Sequence, residues 1–189
     1  LRLPHFKLSI LSCMNGNSVL WTAIEASKEK VKSMLGQGHS VSTILSELVG
    51  LAESLHGPGS VASVLLLDNE GTLRNASSPN LPIDYLQAID RIKPDPKVGT
   101  CAAAAATGEA VFTPDFFADE KWAELRQLPL GIGFNAAWSV PIKSVSGKVI
   151  GTFGAYFKNK RLPSLEEQRG LKILVQAAAV ALEAQAFKN

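Results

Sequence analysis

The sequence predicts an α+β fold, a central antiparallel sheet of five or six strands with the terminal helices packed on one face. Three observations carry this. Apolar residues recur at helical spacing near both ends of the chain, segments of strand period cluster in the middle, and the clearest helix caps stand outside that cluster. The 189 residues suffice for one domain, and 46% hydrophobic with 19% charged residues is ordinary for a globular protein.

Residues 1–17 read as an N-terminal tail or extension. Phe6, Leu8 and Ile10 alternate as in a short strand, and "NGNS" at 15–18 reads as a turn with Ser18 as a helix cap. A helix is predicted over 18–36 from the spacing of Trp21, Ile24, Lys28, Val31 and Leu35, with Gly36 and Gly38 to stop it. Its stripe is narrow, as for a helix that packs on a partner. The next helix, 40–56, has a wide face of Val41, Ile44, Leu45, Leu48, Leu51, Ala52 and Leu55, and "GPG" at 57–59 ends it.

The period then changes. "VASVLLLD" at 61–68 is a strand, and "TLRNAS" at 72–77 follows at hairpin distance. "PIDYLQAID" at 82–90 is a short helix started by proline. Thr100 is placed to cap a helix through five alanines that Gly108 ends. Residues 110–114 read as a strand, 118–127 as a short helix, and 135–142 and 148–157 as a hairpin across "SVSG". Ser164 and Glu167 form a capping box that opens the last helix, 164–186, with Leu171, Leu174, Val175, Ala178 and Leu182 on one face. Residues 18–189 thus form one domain, with sheet and pocket within 61–157.

Alternation assigns faces to the hairpin. Trp138, Val140, Ile142, Phe153 and Phe157 are large and apolar, suited to the terminal helices. Ala137, Ser139, Thr152, Gly154 and Tyr156 are small or polar and face the other way, where a pocket fits.

Composition excludes several functions. With 19 basic residues against 17 acidic ones, no field favours nucleic acid or an anionic membrane. No segment reaches the roughly 18 apolar residues of a membrane span, and no basic-then-apolar signal opens the sequence. Cys13 and Cys101 make neither a metal-ligand spacing nor a disulfide framework, so a cytoplasmic setting is expected. A start at Leu1 rather than Met is expected of a piece of a longer protein. His5, His39 and His56 give no triad and no haem set; His39 and His56 flank the second helix, away from the pocket, and read as capping or surface residues. Asp115, Asp119 and Glu120 read as helix caps in preference to a cation site.

At this point the residues resemble a family. "GTCAAA", "VFTPDF", "DEKW", "AAWSVPI", "GTFGAY" and "LPS" follow one another within 61–186, and in that order they resemble the GAF domain, a small-molecule sensor and dimerisation module of cytosolic signalling proteins. An alanine stands where a glycine more commonly follows the cysteine, and the "NKFDE"-like segment of the cyclic-nucleotide branch is absent. The resemblance implies a non-catalytic sensor whose ligand sits on the sheet face away from the terminal helices. Binding there would bias those helices, a homodimer and an output domain (kinase, cyclase, phosphodiesterase or transcriptional regulator) in the same or a partner chain. The implied ligand-binding residues are Thr100, Cys101, Ala102, Asp115, Trp122, Ser139, Thr152 and Tyr156, with no metal site. The ligand is unidentified, and haem and bilin are disfavoured.

Free amides at the start of the alanine helix favour an anion or a carbonyl, and the alanines permit close backbone approach to ligand or sheet. The same position could lower the Cys101 pKa, which keeps a second reading open, a thiol reductase of free methionine sulfoxide. That family's "H-I-A-C-D"-like stretch is absent; the region here reads "DFFADEKW". A third reading is a dimerisation module without ligand.

Overall fold

In the computed structural model the backbone is described over residues 6–186 and side chains over 18–185. Five strands, β1 (Ser60–Leu67), β2 (Leu73–Ser77), β3 (Val111–Thr113), β4 (Ala136–Lys143) and β5 (Val149–Phe157), form one sheet of order β2-β1-β5-β4-β3. Every neighbouring pair is antiparallel. The helices are α1 (Phe6–Gly36), α2 (Val41–His56), α3 (Ile83–Ala88), α4 (Thr100–Thr107), α5 (Gln127–Gly131) and α6 (Leu165–Ala186). Pro141 pairs with Thr152 of β5 but lies beyond the end of β3, so its missing N–H falls where β4 has a ladder on one side only.

The helices α2 and α6 cover one face of the sheet, and α1 lies against both of them. Their apolar stripes meet Val64, Ile142 and Phe153 in one core with Ile24, Val31, Ile44, Val49, Leu171 and Leu174, all at most 2% exposed. Each such side chain stabilises the fold by about 1.5–3 kcal/mol relative to exposure. On the opposite face α4 lies across β3, β4 and β5. The period-two assignment of faces holds: Phe153 and Ile142 enter the helix-side core, while Ala137 and Tyr156 join a separate cluster with Leu65, Tyr85 and Trp122.

Three local expectations differ. First, α1 begins at Phe6, so the turn at 15–18 is helical and Ser18 does not cap; the Ser18 carbonyl accepts from Thr22 Oγ1 inside the helix. One glycine within a helix costs only about 1 kcal/mol, and packing of the C-terminal part of α1 outweighs it. Of the tail expected over residues 1–17, residues 1–5 lie outside the described residues, and the remainder, including the stretch Phe6, Leu8 and Ile10 read as a short strand, is helical. Second, 118–127 is not one helix: Asp119 caps a single 3₁₀ turn, Glu120–Trp122, and the chain bends before α5. Third, His56 is a core residue. It closes α2 with its ring fully buried, edge-on to Trp138 and Phe157, with Nδ1 3.3 Å from Glu167 Oε1.

Glu167 also receives the Arg161 guanidinium, which stacks over both Trp138 and Phe157, and completes the capping box by accepting from Ser164 N. Reciprocally, Glu167 N donates to Ser164 Oγ. Burial raises the Glu167 pKa, but the bonds from His56 and Ser164 and the Arg161 charge outweigh it, holding the carboxyl down at about 2. The end of α2, the hairpin β4–β5 and the start of α6 are thereby joined through one charged group.

Candidate functional site

The site is built around α4. Gly99, with φ 56°, precedes the helix, and its N–H donates to Lys121 O at 2.7 Å. That left-handed conformation favours glycine. At the other end Gly108 adopts the αL conformation and its N–H returns to Ala104 O. Between them Ala102, Ala103, Ala104 and Ala105 are buried, and their small side chains let the helix approach the sheet. At Gly154 a Cβ would lie 3.1 Å from Ser63 Oγ and 3.2 Å from Cys101 Sγ, so Cys101 rests directly over that glycine.

Thr100 is the first helical residue, not the cap. Its hydroxyl accepts from Trp122 Nε1 at 3.0 Å and donates to Thr113 Oγ1 at 3.3 Å. Thr113 in turn donates to Asp119 Oδ2 at 2.7 Å, and the other carboxylate oxygen accepts from Lys121 N and Lys121 Nζ. This relay fixes Trp122, whose ring also packs on Phe116, against the start of α4.

Between α4, the β1–β2 hairpin, α3 and Trp122 lies a cavity of about 30 Å³, room for one or two waters. Its walls include the aliphatic side chains Leu65, Leu73, Ile89, Ile92, Val98 and Leu125, with Tyr85, Tyr156, Gly99, Thr100, Cys101, Ala102 and Trp122 supplying the rest. The Tyr85 ring stands edge-on to Tyr156, and its buried hydroxyl lies toward the Tyr156 side chain. Burial pushes the Cys101 thiol up, with the hydroxyls of Ser139, Thr152 and Tyr156 opposing it in part. Burial likewise raises Tyr85 and Tyr156. At neutral pH all three groups are uncharged.

Of the residues expected at the pocket, Thr100, Cys101, Ala102, Trp122 and Tyr156 line this cavity. Ser139 and Thr152 lie on the same sheet face but under α4, fully buried with their hydroxyls beside the Cys101 thiol. Asp115 is elsewhere: it accepts from Phe117 N and pairs with Lys160 at 2.8 Å. The Lys160 bond is the main cause of its lowered pKa, against some burial. Asp115 and Asp119 therefore hold turns. Among the described residues no cluster of His, Cys, Asp and Glu has metal-binding geometry. Tyr85, Leu73, Ile89, Ile92, Val98 and Leu125 were not foreseen, although Leu81, Tyr85 and Ile89 recur at fours and mark an inward face.

The sequence profile of the GAF domain matches residues 38–183. A methyl sulfide methyltransferase-associated sensor from Methanosarcina acetivorans is 32% identical over 158 residues, 83% of this chain; the chain spans 16% of that relative's length. Among solved structures, the GAF domain of a phosphoenolpyruvate-protein phosphotransferase from Coxiella burnetii superposes with TM-score 0.71 at 13% identity, covering 88% of this chain and 96% of that one. A free methionine-R-sulfoxide reductase from Neisseria meningitidis, solved with its substrate, gives 0.64 at 17% identity, over 88% and 92%. At such identities these structures bear on fold alone, whereas the profile covers most of the chain: the chain belongs to the GAF domain family.

Proposed function

We propose that this domain is a non-catalytic small-molecule sensor that reports to an output unit through its terminal helices. The observation that carries the reading is the cavity below α4, which shares β1 and β5 with the helix-side core. Leu65 and Tyr156 face the cavity, and their neighbours Val64 and Phe157 face the helices. A ligand that moves those strands moves the bed of α2 and α6. The sensor name of the Methanosarcina relative agrees with this role.

A thiol reductase needs a thiolate, and Cys101 is held neutral by burial beneath hydroxyls rather than activated by a cation. The reading is tested by native mass spectrometry of the purified protein and by thermal shift against a small-molecule library, with amide exchange followed in α6. A retained mass, or a melting shift of about 2 °C or more with altered α6 protection, is expected. Ligands that stabilise the cavity walls and leave α6 unchanged would reduce the domain to a binder without output.

A further inference from the structure

The layer of helices is one helix short of the sheet beneath it. Strands stand roughly 4.8 Å apart and packed helices roughly 9–10 Å, so two helices cover about four strands. Here α2 lies on β1 and β2 and α6 on β4, while β3 is the fifth strand, at the edge. Phe112 of β3 pairs with Trp138 of β4, so it shares the helix-side face with Trp138 and Val140. Phe112 and Val140 are only half-buried. Between them and the outer side of α6 runs a groove of about 850 Å³. It follows α6 from Gln168 to Glu183, about 22 Å. At its far end stands Val145, 92% exposed, whose N–H donates to Glu183 Oε1.

Charge gives the groove a sign. Its lining carries four basic residues, Lys28, Lys143, Arg169 and Lys172, against two acidic ones, Glu109 and Glu183. Arg169 already pairs with Glu25, and Glu183 accepts from the Val145 amide. That leaves Lys28, Lys143 and Lys172, all exposed and without an ion pair among the described residues, against Glu109 alone. These three lysines come from α1, β4 and α6 and stand around one partly apolar floor.

We infer that the groove docks an amphipathic helix of a partner protein, about four turns long, with carboxylates flanking its apolar stripe, laid beside α6 over β3 and β4. The stripe covers Phe112, Val140, Ala179 and Val180, and the carboxylates meet Lys28 and Lys172 on one side and Lys143 at the far end. A helix fits better than an added strand, because the groove lies on the face of the sheet and β3 offers an edge of only three residues. None of the residues that line the cavity below α4 lines this groove. The docking site therefore stands independently of the sensor reading.

The experiment uses two synthetic helical peptides of about 16 residues. Both carry one leucine stripe on an alanine background; one has glutamates flanking the stripe, the other lysines. Each is titrated against the amide spectrum of the intact chain. The glutamate peptide is expected to saturate shifts at residues 111–113 and 176–183 with a dissociation constant on the order of 10–100 μM, and the lysine peptide to bind at least about 10-fold more weakly. Lys28→Glu/Lys172→Glu should weaken the glutamate peptide about 10-fold or more. Lys93→Glu/Lys97→Glu, which changes net charge equally at exposed positions outside the groove, should leave it within about 2-fold. Equal affinity for the two peptides, no saturation by the glutamate peptide at about 1 mM, or equal losses in the two double variants would each overturn the assignment. So would the same shifts on concentrating the chain alone, since a second copy would then fill the groove.

Discussion

Gly154 and Cys101 decide how closely α4 lies on the sheet. The thiol sits over the glycine so closely that a methyl group would press on both Cys101 Sγ and Ser63 Oγ. Gly154→Ala should therefore cost about 1–2 kcal/mol by overpacking. In combination with Cys101→Ala the two costs should fall short of additivity by at least about 0.5 kcal/mol in urea denaturation. Strict additivity would place the thiol away from the glycine. The alanine run after Cys101 signalled a helix able to approach a surface, but alanines serve a sheet and a ligand equally well, and only packing resolves which. Here it is the sheet. For that reason Ser139 and Thr152 lie on the expected face with no open space above them: alternation along a strand reveals a face, not what covers it.

At the scale of elements, the start of α6 is the best-determined junction. The Ser164–Glu167 capping box was legible as a local pattern and is formed. Its connection to His56, 111 residues earlier, was not, because burial of a histidine at a helix end depends on which strands pass beneath it. The Glu167 pKa is depressed in the fold, to about 2 from an ordinary 4.5. Its contribution to stability is thus fully present above about pH 4.5 and is lost as pH falls from there toward 2. Solvent reaches Arg161, so the contribution is about 1–2 kcal/mol, below the full linkage value. Denaturation of wild type and Glu167→Gln at pH 6 and pH 3 checks this. The gap between them should narrow at the lower pH; curves that fall in parallel would mean that the carboxylate is not specially held.

At the scale of the whole molecule, the apolar stripe of α1 is consumed within the domain, where Ile24 and Val31 are buried against α2 and α6. The helices α1 and α6 run parallel, since Trp21 meets Glu166 and Glu25 meets Arg169, and α1 starts about four turns before that seam. Val19 and Leu165, 70% and 85% exposed, lie beside it. The homodimer we propose would use this end of the helix pair. Sedimentation should find a dimer at tens of micromolar, converted to monomer in Val19→Glu/Leu165→Glu; a wild-type monomer at high micromolar concentration would remove the dimer and leave the cavity argument untouched. Fold class, strand order in sequence and the outer helices were legible because each rests on local periodicity, whereas the α3 side of the cavity depends on a chain crossing that no local pattern encodes. The three tryptophans mark separate stations along the proposed route: Trp122 in the cavity wall, Trp138 beneath His56 and Arg161, and Trp21 at the seam of α1 with α6. Each indole has a different quencher or acceptor beside it, so variants that retain one tryptophan at a time would emit from one station at a time. Stopped-flow fluorescence on such a set would time the passage of a signal from cavity to junction to output helix within this chain, without any attached dye.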